Sequence, residues 1–302
     1  MPGKPTVSTQ LQMLRCQVEA GAYAFDTTAV RSIHRWESVD ASQPAAGGLG
    51  TLGGKPVYRL AHLLGLGEEP AATAGPVLML DEYAVQVDSV SRPRLVAESQ
   101  LRRLPRPAQG AQGRVAGLVR LEGELTLLLD PRRLAEPGEA SPPPWPCDEP
   151  WVSGAFTTTD KLLCFLPPGH GEHTYLAVSY RQAVEVALGL KLSRLRSSEP
   201  WLAGLVDWRD RAVPVVDLAG LLGVEPSARV DVSRTLIARA PRSGELFAFP
   251  ADHLAPLPLP LSEDSMLVKT IDPPSPYIRA AYTLTDGYLF LPDLDRLSAP
   301  AI

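Results

Sequence analysis

The sequence predicts a mainly β protein in which one unit is repeated in tandem, and three observations support this. The 302 residues include 31 prolines and only 6% aromatic residues. Proline is excluded from helix interiors, so this composition favours many short strands and turns over a helical bundle. Short apolar runs alternate with turns rich in glycine, proline and aspartate. Four segments occur twice in the same order, so we expect two similar β domains.

Composition also excludes several classes of protein. Hydrophobic residues make up 45% of the chain and charged residues 21%, as in globular proteins that fold in water. No apolar run approaches the roughly 20 residues that cross a bilayer, and the amino terminus lacks a secretory signal. The formal net charge of −5 comes without long blocks of one sign, which disfavours nucleic-acid binding. We expect a cytoplasmic protein without membrane insertion.

The first half contains the elements of the unit in order. Residues 14–18 and 23–25 are predicted strands of a hairpin, because a glycine-containing turn separates two β-rich runs. Val30 and Ile33 are then expected to reach the core. Residues 117–130 predict a strand, a glycine turn, a second strand and an aspartate that starts a final helical turn.

The second half repeats this order with slowly drifting offsets. The paired positions are Tyr23 and Tyr175, Pro56 and Pro214, Asp88 and Asp252, and Leu134 and Leu297, which are 152, 158, 164 and 163 residues apart. Such drift is expected when a domain is duplicated and its loops then gain or lose residues. Between the copies, three consecutive prolines at 142–144 are typical of an extended spacer. The sequence predicts a disordered tail at 1–10, a diverged first domain at 11–135, a proline-rich linker at 136–154 and a second domain at 155–302.

Residues 204–223 carry the most informative motif. The apolar runs 205–208 and 213–216 are joined by Arg209-Asp210-Arg211, and two short runs around a tight polar turn predict a hairpin. Pro214 has no N–H to donate, so we expect it at a sheet edge or at a bulge. The motif is therefore a strand, a charged turn, a strand and then a helical turn.

This motif resembles the signature of the CheW-like coupling proteins of bacterial chemosensory systems. The positions that match in register are Gly204, Arg209, Arg211, Pro214-Val215, Asp217-Leu218 and Gly223. Asp217 is expected to open the helical turn and Gly223 to end it. Asp210 stands where the family usually has glycine. The alternative is an unrelated β-hairpin that shares the Pro-Val-x-Asp-Leu pattern by chance.

The resemblance implies a fold, a function and partners. In this family each domain is a pair of small five-stranded SH3-like β-barrels with short helices and a groove between the barrels. Such a protein is a non-catalytic scaffold that couples the tips of methyl-accepting chemoreceptors to the regulatory domain of a CheA-type histidine kinase. Other CheW-like proteins are further expected partners. A scaffold of a non-flagellar pathway is an alternative with the same fold.

The expected protein-binding residues all lie in the motif. They are Val206, Trp208, Arg209, Arg211, Val215 and Asp217. The family arginine that corresponds to Arg209 matters for coupling receptor to kinase, and a guanidinium on a rigid hairpin can pair bidentately with a carboxylate. The alternative is an ion pair within the chain, for example with Asp207 or Asp217, that holds the hairpin in shape. Trp208 is either an interface anchor or a core residue.

The corresponding stretch of the first copy has diverged. We align Gly48 with Gly204, Leu52 with Trp208, Gly53 with Arg209, Gly54 with Asp210, Lys55 with Arg211 and Arg59 with Asp217, with two residues missing before Pro56. The first copy therefore lacks the turn arginine. Only the second copy is predicted to keep it for binding.

Two other patterns suggest competing functions. Residues 48–53 match the Gly-x-Gly-x-x-Gly dinucleotide pattern, but no strand precedes them and residues 56–58 are not helical in pattern. A nucleotide-binding or small-molecule enzyme built on this stretch is the rival hypothesis. His170 and His173 lie near Cys164 in sequence, yet a fourth metal ligand is missing. We expect no cofactor, no metal and no catalytic residue.

The three cysteines suggest neither disulfides nor a metal site. Cys16, Cys147 and Cys164 are an odd number at unrelated spacings. Cys16 and Cys164 lie inside apolar runs. We expect both to be small buried hydrophobic residues.

Overall fold

The structure is a computed structural model that describes most of both predicted domains. The described residues are 10–19, 21–42, 44, 47–64, 75–105, 108, 114–134, 162–167, 174–195, 199–223, 230–257, 267–284 and 287–298. The predicted tail, apart from Gln10, and the predicted linker lie outside them. The chain divides into two units, of which unit 1 comprises Met1–Leu104, Ala111–Gly138 and Ser193–Arg196, and unit 2 comprises Pro105–Gly110, Glu139–Leu192 and Ser197–Ile302.

Unit 1 is built from short strands and two single-turn helices. Its strands are β1 (Gln10–Val18), β2 (Gly21–Asp26), β3 (Ser32–His34), β4 (Gly50–Leu52), β5 (Lys55–Arg59), β6 (Val77–Met79), β7 (Ala84–Gln86), β8 (Ser89–Val90), β9 (Arg94–Ala97), β10 (Val115–Leu121) and β11 (Glu124–Leu129). Its helices are α1 (Leu60–Leu63) and α2 (Pro131–Leu134). The predicted hairpins at both ends of the unit are confirmed.

Unit 2 repeats most of these elements in the same order, and the division above assigns Ser193 and Arg194, at the end of one of its strands, to unit 1. Its strands are β12 (Leu162–Leu166), β13 (Thr174–Ser179), β14 (Ala183–Leu188), β15 (Leu192–Arg194), β16 (Leu202–Trp208), β17 (Arg211–Val216), β18 (Arg234–Arg239), β19 (Leu246–Pro250), β20 (His253–Leu257), β21 (Leu267–Ile271), β22 (Ile278–Leu284) and β23 (Gly287–Pro292). Its helices are α3 (Leu218–Leu221) and α4 (Leu294–Leu297).

Each unit contains two sheets, one from its ends and one from its middle. The sheets of unit 1 have the orders β10-β11-β2-β1-β8, with β9 also on β1, and β3-β6-β7-β5-β4. Those of unit 2 have the orders β20-β12-β13-β23-β22-β21 and β14-β18-β19-β17-β16-β15. The shared topology confirms a mainly β fold with two repeated domains.

Three of the four sheets have six strands among the described residues, where five are expected for each barrel. In unit 1 the extra strand arises because β8 and β9 both pair with β1. Pro93 lies between them and has no N–H for a ladder. One strand is thus divided into two short ones.

Two expectations about single residues are wrong. Ile33 is 51% exposed, because it lies on edge strand β3 with its side chain on the solvent face. Pro214 lies in an inner strand, since β17 pairs with β16 on one side and with β19 on the other. The pairing with β19 is confined to Val215 and Ala248, so the missing N–H of Pro214 does not interrupt a continuous ladder.

Candidate protein-binding site

The charged turn of the motif has a backbone conformation that few side chains adopt. Trp208 pairs with Arg211 across the β16–β17 hairpin, which leaves a two-residue turn. Arg209 and Asp210 have φ angles of +49° and +63°. Two successive positive φ angles are typical of the type I′ turn, whose twist matches that of a hairpin. The turn therefore projects Arg209 from the end of two well-paired strands.

Arg209 forms its ion pair with Glu185 on β14. The guanidinium, whose side chain is 68% exposed, donates to Glu185 Oε2, and the other carboxylate oxygen accepts the Nε1–H of Trp208 at 3.3 Å. Arg209 Cζ also lies 4.9 Å from the centroid of the Trp208 ring. One carboxylate and one aromatic face thus orient the arginine.

Arg209 thus makes an ion pair within the chain, as the alternative interpretation expects, but its partner is Glu185 rather than Asp207 or Asp217. β14 and the β16–β17 hairpin are not neighbours in the strand order, so only the curvature of the sheet brings Glu185 to the turn. One signal is present in the sequence, a lone carboxylate inside the apolar run of β14. Its partner depends on long-range pairing.

Four of the predicted binding residues are buried. Val206 and Val215 are fully buried and Trp208 is 7% exposed, and all three belong to one core cluster. Asp217 is also buried, and its carboxylate accepts the N–H of Ala219 at 3.1 Å as the cap of α3. These four residues shape and hold the hairpin. Direct contact with a partner remains a prediction for Arg209 and Arg211, which are exposed.

A strip of exposed apolar side chains flanks Glu185, and sequence reasoning missed it. Val184, Val186 and Leu188 are 38%, 41% and 71% exposed. Because side chains alternate along a strand, Val186 and Leu188 share one face of edge strand β14, opposite to Glu185, and Val184 lies next to them at an irregularity in the pairing with β18. We name these three residues the β14 strip. Contiguous exposed apolar side chains are typical of interaction surfaces.

A row of cross-strand partners fixes which residues of the two units correspond. The row runs through Gly204, Val215, Ala248, Ile237 and Glu185 in unit 2, and through Gly50, Val57, Ala84, Met79 and Ser32 in unit 1. The two glycines have matching φ angles of +153° and +154°. Gly50 therefore corresponds to Gly204, and the alignment of Gly48 with Gly204 is wrong.

The unit 1 hairpin is shorter on both arms. Gly53 and Gly54 form its two-residue turn, with φ angles of +58° and +77°, and Leu52 pairs with Lys55. Each arm has lost two residues between this turn and the row described above. Equal loss from both arms keeps the pairing register and the face of every side chain. Gly53 thus occupies the turn position of Arg209, as the sequence predicts.

The competing motifs gain no support from the geometry. In the glycine-rich stretch 48–53, strand β4 leads into a turn and then strand β5, so no helix N-terminus follows to hold a phosphate. His170 and His173 lie outside the described residues. Elsewhere in the described part of the chain, no cluster of three or more His, Cys, Asp or Glu side chains has an arrangement that could hold a metal ion.

Cys16 and Cys164 are buried free thiols, as predicted. Burial raises the pKa of each to about 12, so both are protonated at neutral pH. Cys147 lies outside the described residues. Among the helices that the structure describes, none is both long and apolar enough to cross a bilayer.

The repeated two-sheet unit, with an arginine hairpin in its second copy, defines a tandem β-domain protein. The sequence profile of the CheW-like domain matches residues 12–138 and 170–300. These segments cover most of the chain, which therefore belongs to the CheW-like domain family. The resemblance predicted from the motif is confirmed.

Comparison with individual proteins adds one solved structure. The scaffolding protein TtCheW from Thermoanaerobacter tengcongensis is 16% identical, with a TM-score of 0.37 over 42% of this chain and 94% of that chain. Among curated proteins, no sequence matches.

Proposed function

We propose that the chain is a non-catalytic cytoplasmic adaptor that couples methyl-accepting chemoreceptors to a CheA-type histidine kinase. Membership of the CheW-like domain family supports this class of function. The single observation that carries the proposed site is the exposed Arg209 side chain, oriented by Glu185 and Trp208 on a two-residue turn. The adaptor acts through contacts alone.

The Arg209–Glu185 pair is better suited to orienting the arginine than to stabilising the fold. An exposed ion pair contributes about 0–1 kcal/mol to the free energy of unfolding. A guanidinium has five N–H donors, so binding one Glu185 oxygen leaves donors for a carboxylate of the partner. Because the side chain is already held in place, less conformational entropy is lost on binding.

The β14 strip supplies the apolar part of the proposed interface. Interfaces of this kind combine a desolvated apolar centre with charged groups at the rim. Val186 and Leu188 are exposed on an edge strand, where a β-barrel of a partner or a receptor helix can cover them. Arg209 lies on the Glu185 side of the same edge strand, so a partner that docks along this edge would contact the strip and the arginine from the two sides of β14.

The substitution Arg209→Glu tests the site. We expect it to weaken capture of the regulatory domain of the CheA-type kinase from the same genome at least tenfold in a pull-down. The free energy of unfolding should change by less than about 1 kcal/mol, because the pair is exposed. Arg239→Glu, at an exposed arginine of β18, is the matched control and should bind normally.

A charge swap separates the two roles of the arginine. In the double variant Arg209→Glu with Glu185→Arg, the ion pair is restored with its polarity reversed. If Arg209 contacts the partner, binding stays weak in the double variant. Full recovery of binding would show that the pair only holds the hairpin, and unfolding of Arg209→Glu would contradict the proposal outright.

A further inference from the structure

We propose that the chain is monovalent at this interface: unit 2 alone carries the docking face. Unit 1 lacks the ion pair, the long hairpin and the apolar strip that together form this face. This inference rests on the proposed function and adds the number of partners that one chain binds through the face. It is carried by three separate differences between residues that occupy corresponding positions.

Both halves of the ion pair are absent from unit 1. The cross-strand row that contains Glu185 in unit 2 contains Ser32 in unit 1. Gly53 occupies the turn position of Arg209. Loss of the arginine alone would leave an unpaired carboxylate at the position of Glu185. Since both charges are missing together, unit 1 lacks the arrangement that orients a guanidinium.

The unit 1 hairpin also reaches less far. It lacks two residues on each arm between the turn and the shared row, and a strand rises about 3.4 Å per residue. The turn therefore lies about 7 Å closer to that row than in unit 2. A partner that touches the turn of unit 2 does not meet the turn of unit 1 in the same pose.

Two of the three positions of the β14 strip carry charged residues in unit 1. Ile33 corresponds to Val186 because each follows its row residue by one position, and by the same count Arg35 stands at the position of Leu188. Arg31 precedes Ser32 by one residue, as Val184 precedes Glu185. Both arginines are exposed, and Arg31 Nε lies 2.6 Å from Asp81 Oδ1. An apolar partner surface would have to desolvate the Arg31–Asp81 pair and the Arg35 side chain without offering them a charged group, which disfavours binding.

One partner per chain follows from these differences. The tandem chain brings two CheW-like domains into an assembly, yet it binds a partner through this face only once. The surface of the first domain that corresponds to the docking face binds no partner.

Isothermal titration of the full chain with the purified kinase regulatory domain tests the inference. We expect one regulatory domain per chain, and at least tenfold weaker binding with no residual site in Arg209→Glu. Gly53→Asp is the matched control in unit 1, because a Cβ there meets no clash and aspartate adopts positive φ at a smaller cost than most residues. It should leave both the stoichiometry and the affinity unchanged, with circular dichroism confirming its fold.

The outcomes distinguish this inference from the proposed function. Two regulatory domains per chain, or half of the binding retained in Arg209→Glu, would overturn monovalency and leave the adaptor function standing. No binding by the unaltered chain would overturn the adaptor function and monovalency together.

Discussion

Trp208 and Arg209 act as a pair although one is buried and the other exposed. The indole packs in the core of the sheet while its Nε1–H and its face fix the carboxylate and the guanidinium beside it. The two interpretations of Trp208, core residue and interface anchor, are therefore linked. Packing in the core fixes the indole ring of Trp208, and the ring in turn orients the exposed Arg209 side chain.

Asp210 is held in a conformation that costs free energy. Its φ of +63° is unfavourable for a residue with a Cβ, and glycine is the residue that adopts it without strain. We expect Asp210→Gly to raise the free energy of unfolding by about 1 kcal/mol. Urea unfolding monitored by circular dichroism measures this change.

The first unit offers the reciprocal experiment. Gly54 occupies the corresponding turn position with a φ of +77° and open space around it, so Gly54→Asp introduces backbone strain without a clash. It should lower the free energy of unfolding by a similar amount. Destabilisation by Asp210→Gly would contradict the account of the turn.

At the scale of elements, the short helices depend on their caps. α3 has only four residues, too few to form a stable helix by propensity. It is held by its buried leucines, Leu218 and Leu221, and by the Asp217 carboxylate, which accepts a backbone N–H. Arg59 begins the corresponding helix α1 and makes no such side-chain bond.

Removal of the Asp217 cap should destabilise unit 2. We expect Asp217→Ala to lower the free energy of unfolding by about 1–2 kcal/mol, since the Ala219 N–H loses its acceptor. Asp217→Asn keeps a capping oxygen and should stay within about 0.5 kcal/mol of the unaltered chain. Equal losses in the two variants would show that the charge of Asp217, rather than its cap, is what matters.

The elements were predictable from the sequence wherever the signal is local. Hairpins and helical turns follow from apolar runs bounded by glycine, proline and aspartate, and the motif at 204–223 shows its strands, turn and cap in order. The partner of Arg209, the inner position of Pro214 and the correspondence of Gly50 with Gly204 all depend on which strands are neighbours. Strand order is set by contacts distant in sequence, so these features emerged only from the fold.

At the scale of the molecule, buried thiol and phenol groups make the stability of the fold depend on pH. In unit 2, Glu199 is buried and accepts hydrogen bonds from Trp201 Nε1 at 3.0 Å and from the Tyr277 hydroxyl at 2.5 Å. Burial, with the hydrogen bond and charge of Glu199, raises the pKa of Tyr277 well above its usual value. Burial likewise raises the pKa of Tyr23 and of Tyr83.

Stability should therefore fall in alkali. The folded pKa of Cys16 and Cys164 is raised from 9.0 to about 12, and those of the three tyrosines are raised above 10.0. Each raised group contributes fully below its unfolded pKa, and its contribution is lost as pH rises towards the folded pKa. We expect the free energy of unfolding to be at least about 2 kcal/mol lower at pH 10.5 than at pH 8.

Urea unfolding across this pH range measures the loss. In Cys164→Ala the dependence of the free energy of unfolding on pH should be shallower by about 1 kcal/mol per pH unit above pH 9. A free energy of unfolding that stays constant up to pH 10.5 would contradict the burial of these groups.

In the proposed function, the chain works by docking a signalling partner on one face of its second domain. Hydrogen exchange of the full chain, with and without the kinase regulatory domain, tests this most directly. We predict protection at residues 184–188 and 205–216 and unchanged exchange at residues 31–35 and 50–59. Protection of the unit 1 segments, or no protection at β14 and the Arg209 turn despite binding, would contradict the account.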